Sequence, residues 1–202
     1  MNYGDLRTHF KALLNRSDIT DALANTFIDQ GIARIQRTLR IPSMEKAHTY
    51  AISAQTSKVT IPNDFLEAID LIYDNHTLSR VPMKEMQDYK KAGQTGSPHY
   101  FTREGGSFLL YPEPTSGSLI LNYYSQYTAL SADSDTNVLT DIASDLICYA
   151  ALVYASDYYL DERRATFENA YFIYLTEIQE QANDAEMSGS LQSIRPAYQL
   201  DI

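Results

Sequence analysis

Residues 108–127 read FLLYPEPTSGSLILNYYSQY, two apolar runs around a Pro- and Gly-containing break, with four tyrosines and a single charged side chain, Glu113. Pro112 and Pro114 end the first run or confine it to a sheet edge, because proline donates nothing to a ladder. The second run alternates over Leu119, Leu121 and Tyr123, the period of a half-buried strand. The reading is two strands and a turn, one face packed into the sheet and the other carrying tyrosines outward. Tyrosine combines a large apolar ring with a polar tip, which suits it both to cores and to protein interfaces.

The same period extends backwards from this stretch. AHTYAIS and KVTI alternate around a Gln-Thr-Ser turn, and LEAIDLIY meets TLSRVP at Asp74-Asn75. HYFTRE and SFLLYP flank Gly105-Gly106, a two-residue hairpin signal. One short helix is expected over residues 83–92, closed by a loop holding Gly93, Gly96 and Pro98.

On either side of this region the period becomes helical. Leu6, Phe10, Leu13 and Leu14 form one face. After a break at residues 15–18, Thr20 caps a second helix running to about Arg40, with Leu23, Phe27, Ile28, Ile32, Ile35 and Leu39 inward. Pro42 ends it. Beyond a polar linker at residues 131–137, residues 141–160 are apolar almost all round, the mark of a helix buried on two sides. Residues 163–185 show one clean face of Phe167, Tyr171, Tyr174, Ile178 and Ala182. The order helices, strands, helices predicts an α+β chain. Residues 1–44 and 131–186 form a mainly α-helical bundle, residues 45–130 an inserted antiparallel β-rich subdomain, and residues 187–202 an extended C-terminal arm.

The composition narrows the function. The 202 residues carry a net charge of -10, and residues 129–202 alone account for -10, with 3 basic and 13 acidic side chains. That balance opposes gripping nucleic acid through its phosphates. It does not oppose DNA sliding past. The lone cysteine, Cys148, excludes a disulfide framework and sits in an apolar helix as a core residue. No basic segment followed by an apolar run opens the chain, and the longest uncharged apolar stretch is too short for a bilayer. The expectation is a soluble protein, assembled inside the cell and not exported by a secretion signal.

Catalytic patterns are sparse. His9, His48, His76 and His99 fall in four different elements without metal-ligand spacing, so no metal and no cofactor is expected. No phosphate-cradling glycine loop occurs. Glu67, Asp70, Asp74, Asp161 and Glu162 supply carboxylates for a glycosidase-type pair, as any acidic protein would. Arg34, Arg37 and Arg40 fit an amphipathic helix surface better than a phosphate site.

The sharpest feature is the end of the chain. Gly189 and Pro196 oppose a continuous helix, yet Leu191, Ile194, Tyr198, Leu200 and Ile202 are apolar around Arg195. Burying each apolar side chain contributes about 1.5–3 kcal/mol. Ordering each of about a dozen backbone residues costs about 1–2 kcal/mol. Five side chains fall short, so ordering this arm also requires main-chain hydrogen bonds or cooperation among linked copies.

Four stretches, TFIDQGIARIQRTLRIPSME, VTIPNDFLEAIDLIY, FLLYPEPTSGSLILNYYSQYTAL and LICYAALVYASDYYLDE, resemble in order and character the head-to-tail adaptor proteins of tailed bacteriophages. The resemblance implies a non-enzymatic virion protein of the neck, assembled in the host cytoplasm as a homo-oligomeric ring, usually a dodecamer, beneath the portal protein. It implies a downstream tail or nozzle partner, a passage for DNA without specific binding, no membrane, and a C-terminal arm reaching the portal or a neighbouring subunit. Leu191, Ile194, Arg195, Tyr198, Leu200 and Ile202 are the arm candidates. Tyr123, Tyr124 and Tyr127 are the candidates for contact with a subunit or tail component. Alternatives are a tail-completion or tail-tube terminator protein and, from the carboxylates, a cell-wall-degrading enzyme.

Overall fold

A computed structural model describes residues 1–187. The chain divides into two compact units, Met1–Pro42 with the chain from Ala129 onward, and Ser43–Thr128. Its helices and two sheets make it α+β.

In the first unit, α1 (Tyr3–Leu14) buries Tyr3, Leu6, Phe10 and Leu14 and is capped by the Asn2 side chain, which accepts from the Asp5 amide. The second helix, α2 (Asp21–Thr38), starts at Thr20 as its sequence predicts, the hydroxyl accepting from the Leu23 amide. The expected single helix over residues 141–160 is two. A capping box at Asn137 and Thr140 opens α4 (Val138–Ile142), which breaks at Ala143, and α5 (Ser144–Tyr159) follows. (α3, Met83–Lys90, belongs to the second unit.) The first turn thereby swings out, and Ile142 is 52% exposed where continuous periodicity would have buried it. The last helix is α6 (Arg164–Met187).

α5 is the axis of this unit, packing against α1, α2 and α6. Leu146, Ile147, Cys148, Ala150, Ala151, Leu152, Val153 and Ala155 are all buried, so it is sheathed on every side. Small residues set the closest crossing: a Cβ on Gly31 of α2 would lie 2.9 Å from the Ala151 amide nitrogen. Residues 131–137, read from sequence as a linker, are instead a fastened loop. The Asp135 carboxylate accepts from the amides of Ser131 and Ala132, the Gly4 and Tyr3 amides donate to the carbonyls of Asp133 and Asp135, and Arg7 pairs with Asp133 at 2.9 Å.

The turn between α5 and α6 is locked by charge. Arg163 pairs with Asp161 at 2.6 Å and also donates to the carbonyl of Leu14 at 2.9 Å, tying the end of α1 to this corner. Hydrogen bonds from the Arg163 side chain and amide hold the Asp161 carboxyl down at about 2. In the unfolded chain the group titrates near 3.9. Its contribution to stability is therefore complete above about pH 4 and fades as the pH falls towards 2. Melting curves at successive pH values should show this acid limb, and Arg163→Ala should flatten it. An unchanged limb in that variant would refute the assignment.

The second unit is a sandwich. One sheet holds, in order, β1 (Glu45–Ile52), β8 (Gly117–Ser125), β3 (Phe65–Tyr73) and β4 (His76–Thr77). The other holds β2 (Lys58–Thr60), β7 (Ser107–Tyr111), β6 (Tyr100–Glu104) and β5 (Ser79–Arg80). Ile52, Val59, Leu71, Phe101, Phe108, Leu110, Leu119, Leu121 and Tyr123 fill the space between them. The expected two-residue hairpins form: Glu104 pairs with Ser107 across Gly105-Gly106, and Tyr73 with His76 across Asp74-Asn75, both of positive φ.

The stretch 108–127 corrects its first reading. Its two strands, β7 and β8, do not pair with each other; they lie in different sheets, and residues 112–116 cross between them. The expected turn joining AHTYAIS to KVTI is likewise a crossing, from β1 to β2. The physical reason is visible in FLLY. Phe108 and Leu110 enter the main core, while Leu109 and Tyr111 meet a second one formed with α3 (Met83–Lys90), where Met86 is fully buried and Tyr89 stacks on Tyr100 and Tyr111 at 4.8 and 5.8 Å. A strand covered on both faces reads as a continuous apolar run and belongs inside a sheet.

Candidate assembly interface

The arm candidates Leu191, Ile194, Arg195, Tyr198, Leu200 and Ile202 lie outside the described residues. The three tyrosines can be placed. Tyr123 faces the sandwich core, 4% exposed, and its hydroxyl donates to Asp64 at 2.9 Å. Burial and that carboxylate push its pKa to about 12. Tyr124, one residue on, takes the opposite face. Tyr127 lies beyond the strand, half-buried, its hydroxyl 3.3 Å from that of Ser43. Strand parity thus separates adjacent tyrosines into a core residue and an outward one.

That outward face has its own composition. Register places Ala47, Thr49 and Ala51 of β1, Ile120, Asn122 and Tyr124 of β8, and Glu67, Asp70 and Ile72 of β3 on one surface. A register shift between Ala68 and Asp70 adds Ile69, 45% exposed. β1 is an edge strand paired with β8 along all eight of its residues, and Glu45 to Thr49 are each exposed. Edge strands of this length offer unpaired backbone donors and acceptors to another chain.

In the helical unit, Phe172 and Ile173 of α6 stand 51% and 57% exposed. Sequence reasoning followed the inward face of this helix and passed over them. The signal was present in AYFIYL, which carries more apolar residues than one face can use. Arg34 reaches across to Glu168 at 2.5 Å and lies 4.0 Å over the Tyr171 ring. Arg37 donates to Tyr154, and Arg40 to the carbonyls of Gln36 and Leu39. All three therefore act as helix-surface and interhelix ties.

The catalytic candidates fall in two places, Glu67, Asp70 and Asp74 along β3 and the turn after it, and Asp161 with Glu162 at the corner between α5 and α6. Asp70 accepts from Asn122 at 2.7 Å, Asp74 from the Ser118 amide at 3.0 Å, and Asp161 belongs to the corner already described. Cys148 is buried, and desolvation pushes its thiol up to about 12, which opposes a reactive thiolate. Among the described residues no group of three or more His, Cys, Asp or Glu is arranged to hold a metal ion, and no helix is long and apolar enough to cross a membrane.

Exposed apolar residues and an open strand edge are surfaces suited to contact with other chains. Residues 1–195 match the SU10 adaptor protein family, a family of phage head-to-tail adaptors, and the chain belongs to it. No individual curated protein matches the chain in sequence.

Proposed function

We propose that this adaptor forms a ring of identical copies, twelvefold, beneath the portal protein and joins the capsid to the tail. The portal lies on one side and a downstream tail or nozzle protein on the other. The ring closes the packaged head and conducts DNA without holding it, in the neck of a virion assembled in the host cytoplasm. Its role is structural, not enzymatic.

The family match across nearly the whole chain carries this reading. The charge supports it: Asp141, Asp157, Glu162 and Asp184 are exposed on the helical unit, and such a surface repels phosphates at short range. The arm from Leu191 to Ile202 reaches the portal or a neighbouring copy. The face bearing Tyr124 meets an adjacent subunit or the next tail component.

The test is to image the protein mixed with its own portal. A ring seated on the portal is expected, with Tyr124 covered. Absence of any ring, or binding to tail-tube protein instead of the portal, overturns the reading; the second result would make the protein a tail-completion factor.

A further inference from the structure

In the β-rich unit, two clefts share Arg80 and Arg103 in their lining. Register sets Arg80 beside Phe101 and Arg103 beside Phe108, and Arg103 lies 5.4 Å over the Phe65 ring. The second cleft is floored by Phe65, Phe101 and Phe108, the first by Val81, Pro82 and Met83, and both have a cationic rim. Five arginines elsewhere, Arg7, Arg16, Arg34, Arg163 and Arg164, each pair with a carboxylate, while Arg37 donates to Tyr154 and to the Ala33 carbonyl. Arg80 and Arg103 pair with no carboxylate among the described residues, and both are exposed. In a chain of net charge -10, two guanidinia without a carboxylate on one rim form a local positive site. Glu67 is the carboxylate lining the second cleft, which leaves positive charge in excess.

Such a niche selects an apolar side chain accompanied by carboxylates. Arginine forks bind carboxylate oxygens in pairs, and an aromatic floor takes the apolar part. The chain carries that complement. Ile173, Glu177, Glu180 and Asp184 fall at i, i+4, i+7 and i+11 of α6, a single exposed stripe with Phe172 beside its apolar end. We propose that the Arg80–Arg103 cleft receives the Ile173–Glu177–Glu180 stripe from a second copy of this chain. The contact is head-to-tail, so it repeats from copy to copy, and a rotation that closes gives the ring of the reading above. This inference rests on the ring reading above and names which surfaces meet.

Charge reversal tests it. Arg80→Glu with Arg103→Glu should lower the yield of portal-seated rings at least tenfold, and Glu177→Arg with Glu180→Arg should do the same. Both changes act at exposed positions, and unaltered melting curves confirm folding. The quadruple variant, with both surfaces reversed, should recover most of the yield, which loss of folding could not produce, and because the two double variants shift the net charge in opposite directions their common loss is not a net-charge effect. Normal assembly of either double variant, or a quadruple variant no better than either, overturns the contact while leaving the adaptor reading intact. If the parent chain forms no ring on its portal, both fall. If the cleft variant assembles normally but loses retention on duplex DNA, the cleft is a phosphate site and the proposal is overturned.

Discussion

Removing residues 188–202 is expected to abolish capture by the portal while leaving the folded body intact. The bundle's apolar surface is complete before the deletion: Phe167 and Tyr171 are buried on α6, and Tyr174, Leu175, Ile178 and Ala182 are half-buried. The truncated chain should therefore melt within ~2 °C of the parent, the scale of a surface change. The arm's own apolar contacts cannot offset its ordering entropy one copy at a time, but linked arms on one ring gain from effective concentration. Loss of all arms should thus be disproportionate, turning stable co-sedimentation with portal rings into none. Undiminished co-sedimentation of the shortened chain would remove the arm from the mechanism.

The second large effect is expected inside the bundle, at Gly31. A methyl group there would stand 2.9 Å from the backbone nitrogen of Ala151 and 3.2 Å from the Cβ of Ala150. Neither is the yielding end of a long side chain, so α2 and α5 must move apart. Overpacking of this kind costs about 1–3 kcal/mol. Replacing a mid-helix glycine by alanine returns about 0.5–1 kcal/mol of helix propensity. Gly31→Ala should consequently lose about 1–2 kcal/mol and lower the melting midpoint by roughly 2–8 °C. Gly31→Leu cannot be accommodated without opening the interface around α5, and it should lose more than about 3 kcal/mol. A melting midpoint for Gly31→Ala at or above that of the parent would show the crossing to be looser than described.

These two sites differ in how far the sequence announced them. The arm declares itself through Gly189, Pro196 and five apolar residues beyond the last helical face. Gly31 does not, because within GIARI a glycine reads only as a weakness in a helix; its use depends on Ala150 and Ala151, which lie more than a hundred residues away. The same division runs through the fold. Thr20, Gly105-Gly106 and Asp74-Asn75 carry local chemistry and were legible. The break at Ala143 was not, since alanine favours helix more than any other residue and nothing in DIASDL marks an end. Sheet membership was also hidden. Continuous burial in FLLY says that both faces of the strand are covered, without saying by what, and the helix covering one face is supplied by residues 83–90. For the candidate interface, alternation was enough to split Tyr123 from Tyr124 once the core face was known. The paired arginines at 80 and 103 come from strands whose parallel register no local pattern records.

The β-rich unit begins on β1 and ends on β8, and those strands are neighbours, with Glu45 opposite Tyr124. Its two chain ends are thus joined by a ladder and leave through a single doorway a few ångströms wide. A module attached in this way can be cut out or exchanged for another of different specificity without rethreading the helices that carry it.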